Sequence, residues 1–390
     1  MIPYGKHHLD EDDIQAVVDV LRSGALTQGP LVEVFEHIIA DYVGARYAVA
    51  VSSGTAALHL AALVAGVKPG SSLITSPITF VASANAGLYA GGKVTFADVD
   101  SESINISPSA LKAALKSNPS IKAIVPVHFA GLVCDMTAIK TLADEAEAVI
   151  IEDAAHALGA SYSDGQRVGC CAHSLMTIFS FHPVKAIAAG EGGMITTNDE
   201  GIYRELLRLR SHGINKLDDI FLNKEYALTN GKKNLWYYEM QQLGFHYRIT
   251  DIQCALAISQ MKKLDAFQAH RRKLVARYDE FFALEGNIKP AQLADKSRSG
   301  NHIYPVRIDF NRVGKSRNEV MSLLRAEGVG TQVHYIPVPM HPLYLSLGEN
   351  PANYPNALNY YNEALTIPVF YDLSFEQQDY VINALNKALT

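Results

Sequence analysis

One lysine of this 390-residue chain stands where its amine could become reactive. Lys185 follows the apolar run 179–181 and a short turn, and the glycine-rich stretch 190–193 leads into a second apolar run, 194–197. This pattern predicts a strand that ends abruptly, a turn that presents the lysine, and a return strand. Burial at a strand end lowers the pKa of an ammonium group, and a free amine can form a Schiff base with an aldehyde. The alternative is an ordinary lysine whose charged end reaches water.

A second strand end offers groups that could hold a phosphate. The apolar run 47–51 is followed by Ser53, Gly54 and Thr55, small residues that open a predicted helix. The first N–H groups of a helix and the positive end of its dipole attract anions. Ser180, five residues before the lysine, could add a hydroxyl to the same phosphate. The alternative for the helix start is simple N-capping by serine or threonine.

Two further strand ends carry a carboxylate and an aromatic ring. Glu152, Asp153 and His156 follow an apolar run, and a carboxylate at the end of a buried strand needs a cationic or hydrogen-bonding partner. A structural salt bridge or a helix cap is the alternative there. Phe80 follows the run 72–76, where an isolated phenylalanine is more often part of a core. Together, a lysine, an anion site, a carboxylate and an aromatic ring are the groups that pyridoxal 5′-phosphate requires.

Composition excludes several other classes of protein. The formal net charge of -6 comes without a polybasic block, so neither nucleic acid nor an anionic membrane surface is an expected partner. The first residues lack the apolar region of a signal peptide, and no apolar run is long enough to span a membrane. Four cysteines, at 134, 170, 171 and 254, form no disulfide framework or CxxC pattern, which favours a cytoplasmic location. The 14 histidines form no HExxH-like cluster, so no metal site is expected.

Alternating strand and helix patterns from 47 to 197 predict an α/β fold with a buried mixed sheet. We expect two domains, a large one over 1–250 and a smaller α+β domain over 251–390 that includes one long linking helix, 250–282. The smaller domain is predicted to contain strands at 302–308 and 331–335, with a helix at 316–327 between them. The polar stretch 211–234 lacks periodicity and is interpreted as a lid or an interface arm.

These stretches resemble the DegT/DnrJ/EryC1/StrS family of sugar aminotransferases across essentially the whole chain. The similar segments are 26–30, 52–58, 76–82, 152–156, 179–185, 190–193, 210–213 and 244–253. The resemblance implies fold type I, the architecture of aspartate aminotransferase, with pyridoxal phosphate as cofactor. It also implies a homodimer whose active sites are shared between subunits.

The resemblance implies a role for each matching residue. Lys185 would be the catalytic residue that forms the Schiff base, and Asp153 would pair with the pyridine nitrogen. His156 would lie near the cofactor ring or its hydroxyl, and Phe80 would stack on the ring. The phosphate would be bound by Ser53, Gly54, Thr55 and Ser180. His246, from the partner subunit, stands where the family usually has an asparagine that reaches this phosphate, and an imidazole N–H can still donate.

Within the family, the segments around Tyr4, 26–29, 180–185, 301–305 and 332–337 are most similar to transaminases of pseudaminic acid biosynthesis. This likeness implies amination at C4 of UDP-4-keto-6-deoxy-N-acetyl-β-L-altrosamine, with L-glutamate as donor. The implied substrate-binding residues are Tyr4, Thr27, Glu191, His334 and Tyr335. Two have structural alternatives, since His334 could be a satisfied core histidine and Glu191 could order the glycine turn.

Two alternatives to this function stay open from the sequence. The first is amination, at C3 or C4, of another UDP-, dTDP- or GDP-linked keto-sugar. The second is a non-catalytic regulatory protein that binds pyridoxal phosphate. Dehydratase relatives in the family carry histidine in place of the Schiff-base lysine, so Lys185 argues against that activity.

Overall fold

A computed structural model describes residues 1–216, 220–284 and 286–390, and the predicted excursion 211–234 lies in part outside these ranges. Within them, one large mixed sheet has the strand order β1-β7-β6-β5-β4-β2-β3. Its strands are β1 (Tyr47–Val51), β2 (Ser72–Thr75), β3 (Lys93–Phe96), β4 (Ile121–Val125), β5 (Val149–Asp153), β6 (Met176–Ser180) and β7 (Gly193–Thr197). The predicted α/β class is therefore confirmed.

Strand β7 is antiparallel to both of its neighbours, whereas the remaining pairs of the sheet are parallel. Apart from the edge strand β3, the parallel strands are buried along most of their length, which explains their continuous apolar runs. The helices of this part are α1 (Glu11–Ser23), α2 (Pro30–Val43), α3 (Gly54–Val64), α4 (Val81–Tyr89), α5 (Pro108–Ser117), α6 (Met136–Glu145) and α7 (Glu200–Arg210). Helix α3 is buried almost all round, as its alanine- and leucine-rich sequence requires.

The segment after α7 forms only short elements. They are β8 (Ile214–Asn215), α8 (Lys224–Ala227), β9 (Leu228–Thr229), β10 (Lys232–Lys233) and β11 (Glu239–Met240). Large apolar side chains of this segment are exposed, among them Leu222, Leu235 and Trp236. Such exposure is typical of a surface that another molecule covers.

The prediction of one long helix over 250–282 was wrong. The structure has two helices, α9 (Asp251–Met261) and α10 (Leu264–Phe282). Between them, the ammonium of Lys263 turns to contact the carboxylates of Asp10 and Asp13 at the start of α1, with 3.0 Å to Asp13 Oδ1. Neither proline nor glycine marks this break, and the apolar spacing continues through it, so the sequence pattern does not reveal it.

A second, three-stranded antiparallel sheet lies in the described residues 286–390. Its strands are β12 (Ile288–Pro290), β13 (Tyr304–Ile308) and β14 (Ala364–Ile367), and its helices are α11 (Phe310–Val313), α12 (Arg317–Ala326), α13 (Pro342–Ser346), α14 (Pro355–Glu363) and α15 (Phe375–Leu389). The prediction of a strand at 331–335 was wrong. The third strand of this sheet is β14, and of the predicted segment only Gln332 forms a bridge to it, at Thr366. Consecutive strand residues point to opposite faces, whereas His334 and Tyr335 both face one cavity.

The smaller part has a hydrophobic core of its own, and a further cluster packs Phe96 and Phe129 of the large part against Tyr344 and Tyr360. The core under α12 and α15 draws almost entirely on residues after 274, with Ile2 packed against it from the N-terminus. Helix α9 instead buries Cys254, Ala257 and Met261 in the core of the large sheet. The boundary at residue 250 stays a prediction. In the part of the chain that the structure describes, none of the helices is both long and apolar enough to cross a membrane.

Candidate active site

A cavity of about 590 Å³ opens where the ends of β1, β5 and β6 face the smaller domain. Ligands of α/β sheets bind at the carboxyl ends of strands, which is where this cavity lies. Twelve of the predicted site residues line it: Tyr4, Ser53, Gly54, Thr55, Phe80, Asp153, His156, Ser180, Lys185, Glu191, His334 and Tyr335. The structure thus brings together residues from most of the length of the chain.

Lys185 lies in the turn after β6 and presents its amine to the cavity. Burial lowers the pKa of Lys185 to about 8, and the nearby charge of Asp153 opposes this shift. About a tenth of the amine is therefore uncharged at pH 7, and the uncharged amine is the form that attacks a carbonyl carbon.

Asp153 is the last residue of β5, and its buried carboxylate is held by two donors. The Ser83 hydroxyl donates to Oδ2 at 2.6 Å, and the Ala155 N–H donates to Oδ1 at 3.1 Å. The Thr79 and Ser83 hydroxyls lie 2.7 Å apart, so a short chain of hydroxyls ends on the carboxylate. These contacts fix the direction of the carboxylate within the cavity.

The neighbouring carboxylate, Glu152, faces away from the cavity and has a structural role. Its Oε2 lies 2.9 Å from His128 Nε2, and both side chains are fully buried. The hydroxyls of Tyr162 and Ser174 also donate to this carboxylate. Although burial opposes it, the hydrogen bond with His128 helps to keep the pKa of Glu152 below its usual value. Glu152 therefore forms the structural salt bridge that was the alternative to a functional role for a carboxylate at this strand end.

The start of α3 and the end of β6 approach closely on one side of the cavity. Ser53 is the N-cap of α3, and its hydroxyl accepts from the Ala56 N–H at 3.1 Å. A Cβ atom at Gly54 would lie 2.9 Å from the Cβ of Ser180, so only glycine fits without displacement. The capping alternative holds for Ser53, yet the helix start still directs backbone N–H groups at the cavity.

Phe80 and His156 line the cavity in different environments. Phe80, at the N-terminus of α4, has 58% of its surface exposed, so it is not a core residue. His156 is buried, and its Nε2 lies 3.1 Å from the Tyr335 hydroxyl. Burial lowers the pKa of His156 well below its usual value, and the charge of Lys185 lowers it further. Among the described residues, His156 Nδ1 has no hydrogen-bond partner.

The opposite wall comes from the N-terminal segment and the smaller domain. The rings of Tyr4 and His334 are 5.4 Å apart, and His334 Nδ1 lies 3.0 Å from the Thr366 hydroxyl. Burial lowers the pKa of His334 to about 4. His334 is thus both a satisfied buried histidine and a wall residue. Glu191 also lines the cavity, and Gln253 Nε2 donates to its carbonyl at 2.8 Å.

Two predicted site residues lie outside the cavity as the single chain forms it. Thr27 is exposed and bridges to Thr250, while His246 is exposed, bridges to Ser211 and packs its ring against His212. Neither residue lines the cavity of its own chain. Their predicted roles would require a second subunit.

Sequence reasoning missed several cavity residues, above all Ser83 and His302. Ser83 carried a weak signal, as a polar residue in the first turn of a helix that follows a strand end. His302 sits just before β13 and carried no signal beyond the family likeness of its segment. No group of three or more His, Cys, Asp or Glu side chains within the described ranges could hold a metal ion.

The cavity residues fit pyridoxal phosphate in four respects. Lys185 offers a desolvated amine, the start of α3 lines the cavity where Gly54 lets Ser180 approach closely, and Asp153 presents a fixed carboxylate. Among the described residues, His156 Nδ1 has no hydrogen-bond partner and the Phe80 ring is exposed, and a bound aromatic ligand would satisfy the first and cover the second. Lysine, carboxylate, anion site and flat aromatic surface are the complement that this cofactor requires.

This fold and this site define a fold type I aminotransferase that depends on pyridoxal phosphate. The chain belongs to the DegT/DnrJ/EryC1/StrS aminotransferase family, whose model matches residues 7–386. The predicted family, fold type and cofactor are therefore confirmed.

Two curated relatives cover nearly the whole chain. The Bacillus subtilis spore coat polysaccharide biosynthesis protein SpsC is 39% identical over 387 residues, 98% of this chain and 96% of its own. A UDP-4-amino-4,6-dideoxy-N-acetyl-beta-L-altrosamine transaminase of Campylobacter jejuni is 36% identical over 387 residues, 99% of this chain and 96% of its own. The first relative is named for polysaccharide biosynthesis and the second for a transaminase activity.

Solved structures agree with this assignment. The Helicobacter pylori aminotransferase PseC, described as involved in the biosynthesis of pseudoaminic acid, has a TM-score of 0.89 at 29% identity and covers 100% of this chain and 99% of its own. The putative sugar aminotransferase Spr1654 of Streptococcus pneumoniae, in its PMP form, has a TM-score of 0.89 at 30% identity, with 100% and 99% covered.

Proposed function

We propose that this protein transfers the amino group of L-glutamate to the keto carbon of a nucleotide-linked 4-keto-6-deoxy sugar. The observation that carries the proposal is the enclosed amine of Lys185, whose pKa burial lowers to about 8, so that far more of it is uncharged than in an exposed lysine. It shares one cavity with the carboxylate of Asp153 and the start of α3. A sugar aminotransferase needs these groups in one place.

The chain's own residues divide the work as follows. Pyridoxal phosphate, when bound, supplies an aldehyde and an electron-withdrawing ring. Lys185 would hold the aldehyde and, once freed, would act as the base that removes the proton from the α-carbon of the donor. Asp153 would keep the pyridine nitrogen protonated, held in place for that role by Ser83. His156 would contact the ring or its hydroxyl.

The remaining predicted cofactor residues would bind and orient. The hydroxyls of Thr55 and Ser180 and the N–H groups at Ser53 and Gly54 would hold the phosphate. Phe80 would cover one face of the ring, which its exposure allows. Because these residues sit on helix starts and strand ends, the cofactor would be fixed before either substrate enters.

The finer proposal concerns the acceptor, UDP-4-keto-6-deoxy-N-acetyl-β-L-altrosamine, aminated at C4 as in pseudaminic acid biosynthesis. The 36% identity to the Campylobacter transaminase and the likeness to PseC support it. We propose Tyr4, Glu191, His334 and Tyr335 as acceptor-binding residues, because they line the same cavity as the proposed cofactor residues. The corresponding activity would be EC 2.6.1.92.

A second acceptor is favoured by the 39% identity to a spore coat polysaccharide biosynthesis protein. On that basis, the sugar would be another nucleotide-linked keto-sugar, aminated at C3 or C4. Purified protein incubated with L-glutamate and a panel of UDP- and dTDP-linked 4-keto sugars separates the two, with products read by mass spectrometry. Conversion of the altrosamine substrate alone supports the first acceptor, and conversion of a different sugar replaces it with the second.

The central assignment is tested by chemical trapping. Borohydride reduction of the cofactor-loaded protein, followed by peptide mapping, should place the label on Lys185. L-glutamate should also bleach the visible absorbance of the bound cofactor and release 2-oxoglutarate. A label at any other residue, or absorbance that no amino donor changes, would reject the proposal and favour a non-catalytic binding protein.

We further propose that the working unit is a homodimer in which Thr27 and His246 complete the partner's site. Both lie outside their own cavity, and the segment 220–243 exposes apolar side chains that a second copy would cover. Mixing inactive Lys185→Ala and His246→Ala proteins under subunit exchange should restore activity, because each hybrid has one intact site. At equal amounts the restored activity should be about a quarter of wild type. Mixtures that stay inactive would contradict a shared site.

The proposed compartment is the cytoplasm. Its support is chemical, since the four cysteines are buried and unpaired in the structure. Fractionation with a compartment marker would test it.

A further inference from the structure

His302 enters the cavity from the smaller domain with its backbone fixed on both sides. Its N–H donates to the Ala130 carbonyl of the large domain at 2.9 Å, and its carbonyl accepts from Arg271 Nη1 at 2.9 Å. The residue is only 6% exposed. Its position is therefore set by contacts with both parts of the chain.

The ring of His302 packs against the ring of His156. The two centroids are 4.3 Å apart with an interplanar angle of 40°, and His156 Nε2 also contacts the Tyr335 hydroxyl at 3.1 Å. Among the described residues, neither imidazole has a partner for its Nδ1, although both atoms are buried. Buried polar atoms without partners are rare and costly, so this arrangement needs a reason.

We propose that His302 is a positioning residue whose ring holds the imidazole of His156 in the orientation that contacts the cofactor. The inference rests on the proposed function, because the cofactor contact of His156 is itself part of that proposal. His302 acts by packing, since its own Nδ1 bonds to no described group. The smaller domain thereby fixes a residue that the large domain supplies.

The charged and titratable groups around the pair favour two neutral imidazoles. Burial lowers the pKa of His156 well below its usual value, and Lys185 and His334 lower it further. Burial also lowers the pKa of His302, with His156, Lys185, Arg271 and His334 adding to the shift. A neutral imidazole has one N–H. When the Tyr335 hydroxyl donates to Nε2, the proton of His156 resides on Nδ1, the nitrogen that is left for a ligand.

The test compares His302→Ala, which removes the ring, with His302→Phe, which keeps a flat ring without its nitrogens. Val306→Ala is the matched control, because it shortens a fully buried side chain of β13 that lies in a different core. Each full-length protein is studied before and after loading with pyridoxal phosphate. NMR titration follows His156 in the cofactor-free state, assigned with His156→Asn, and equilibrium dialysis gives the Kd of the cofactor.

In His302→Ala, the pKa of His156 should rise toward 6.5, because water enters the space that the ring leaves. Cofactor binding should weaken on the order of tenfold. His302→Phe and Val306→Ala should match wild type in both measurements. Should His302→Ala fail to fold, His302→Ser takes its place, since it also removes the ring and leaves space for water.

Three outcomes would overturn the inference. They are an unchanged His156 titration and Kd in His302→Ala, a His302→Phe variant as impaired as His302→Ala, and equal impairment in Val306→Ala. Failure of the proposed function looks different, because wild-type protein would then not bind the cofactor or react with glutamate. The titration of cofactor-free His156 decides the His302 contact in that case too.

Discussion

The two walls of the active-site cavity are built in different ways. The wall from the large domain carries ionisable groups, Lys185 and Asp153, and the start of helix α3. Asp153 and the helix start lie at the ends of regular elements, and Lys185 lies in the turn that follows β6. The wall from the smaller domain carries His302, His334 and Tyr335, which lie outside regular strands and helices. Burial keeps both of these histidines neutral near neutral pH by lowering the pKa of each.

This difference separates the groups that would react from the groups that would determine which ligand binds. Proton and amino-group transfer need reactive groups in fixed positions. Strands that backbone hydrogen bonds hold in a sheet, and the turns that follow them, keep such groups in place. Neutral rings on irregular segments supply shape and hydrogen bonds, which determine what binds. Substitutions on the charged wall should therefore reduce turnover, and those on the neutral wall should change affinity and stability.

The largest effect should come from Lys185→Ala. Without an amine at this position, turnover with glutamate and keto-sugar should fall by at least about a thousandfold. Lys185→Arg is the matched control, because it keeps a positive charge but offers no nucleophilic amine, and it should be as inactive. Rates are measured as 2-oxoglutarate release. Residual activity in Lys185→Arg near the wild-type level would show that the charge of this wall, and not its amine, matters.

The neutral wall should make stability depend on pH. Because the pKa of His334 is lowered from 6.5 to about 4, the unfolded chain binds more protons between these values. The free energy of unfolding should be insensitive to this group above pH 6.5 and should fall as the pH drops toward 4, by roughly 3 kcal/mol. Urea unfolding at several pH values measures it, and His334→Gln should flatten the curve. An identical slope in that variant would contradict the assignment.

Asp153→Asn should reduce turnover on the order of a hundredfold, because an amide cannot stabilise a protonated pyridine nitrogen. Ser83→Ala removes a donor to the same carboxylate and should cost much less, about tenfold or below. Steady-state kinetics should show the loss in kcat. If Ser83→Ala were the more harmful change, the hydroxyl chain and not the carboxylate would be the functional group.

The smallest effect should follow Tyr335→Phe on the neutral wall. The change removes the hydroxyl that contacts His156 but keeps the ring, so we expect a loss of about tenfold or less. The loss should appear mainly in the KM for the keto-sugar. A fall in kcat with an unchanged KM would show that Tyr335 contributes to the reaction and not to binding of the keto-sugar.

The charged wall could be predicted from the sequence because strand ends are visible in it. The apolar runs before Lys185, Asp153 and Gly54 are continuous, so the chain order alone places all three at one edge of a sheet. Family likeness then gave each residue a role, and the confirmed cofactor follows from the same motifs.

The neutral wall could be predicted only by resemblance. His302 precedes its strand and 331–335 is irregular, so side-chain alternation says nothing about where these residues point. The break between α9 and α10 depends on Lys263 reaching Asp10 and Asp13 about 250 residues earlier. Contacts of this kind arise from the packing of distant segments, and local periodicity does not encode them.

The exposed side chains of residues 220–243 have a consequence for how the protein is made. Ile220, Leu222, Leu235, Trp236 and Leu243 each keep more than two thirds of their surface in water, and Leu235 keeps 97%. In a newly synthesised chain, this exposed apolar segment is accessible to other polypeptides in solution. Until a suitable surface covers it, productive encounters compete with aggregation, so the yield of usable protein depends on the rate of synthesis and on crowding as well as on the fold.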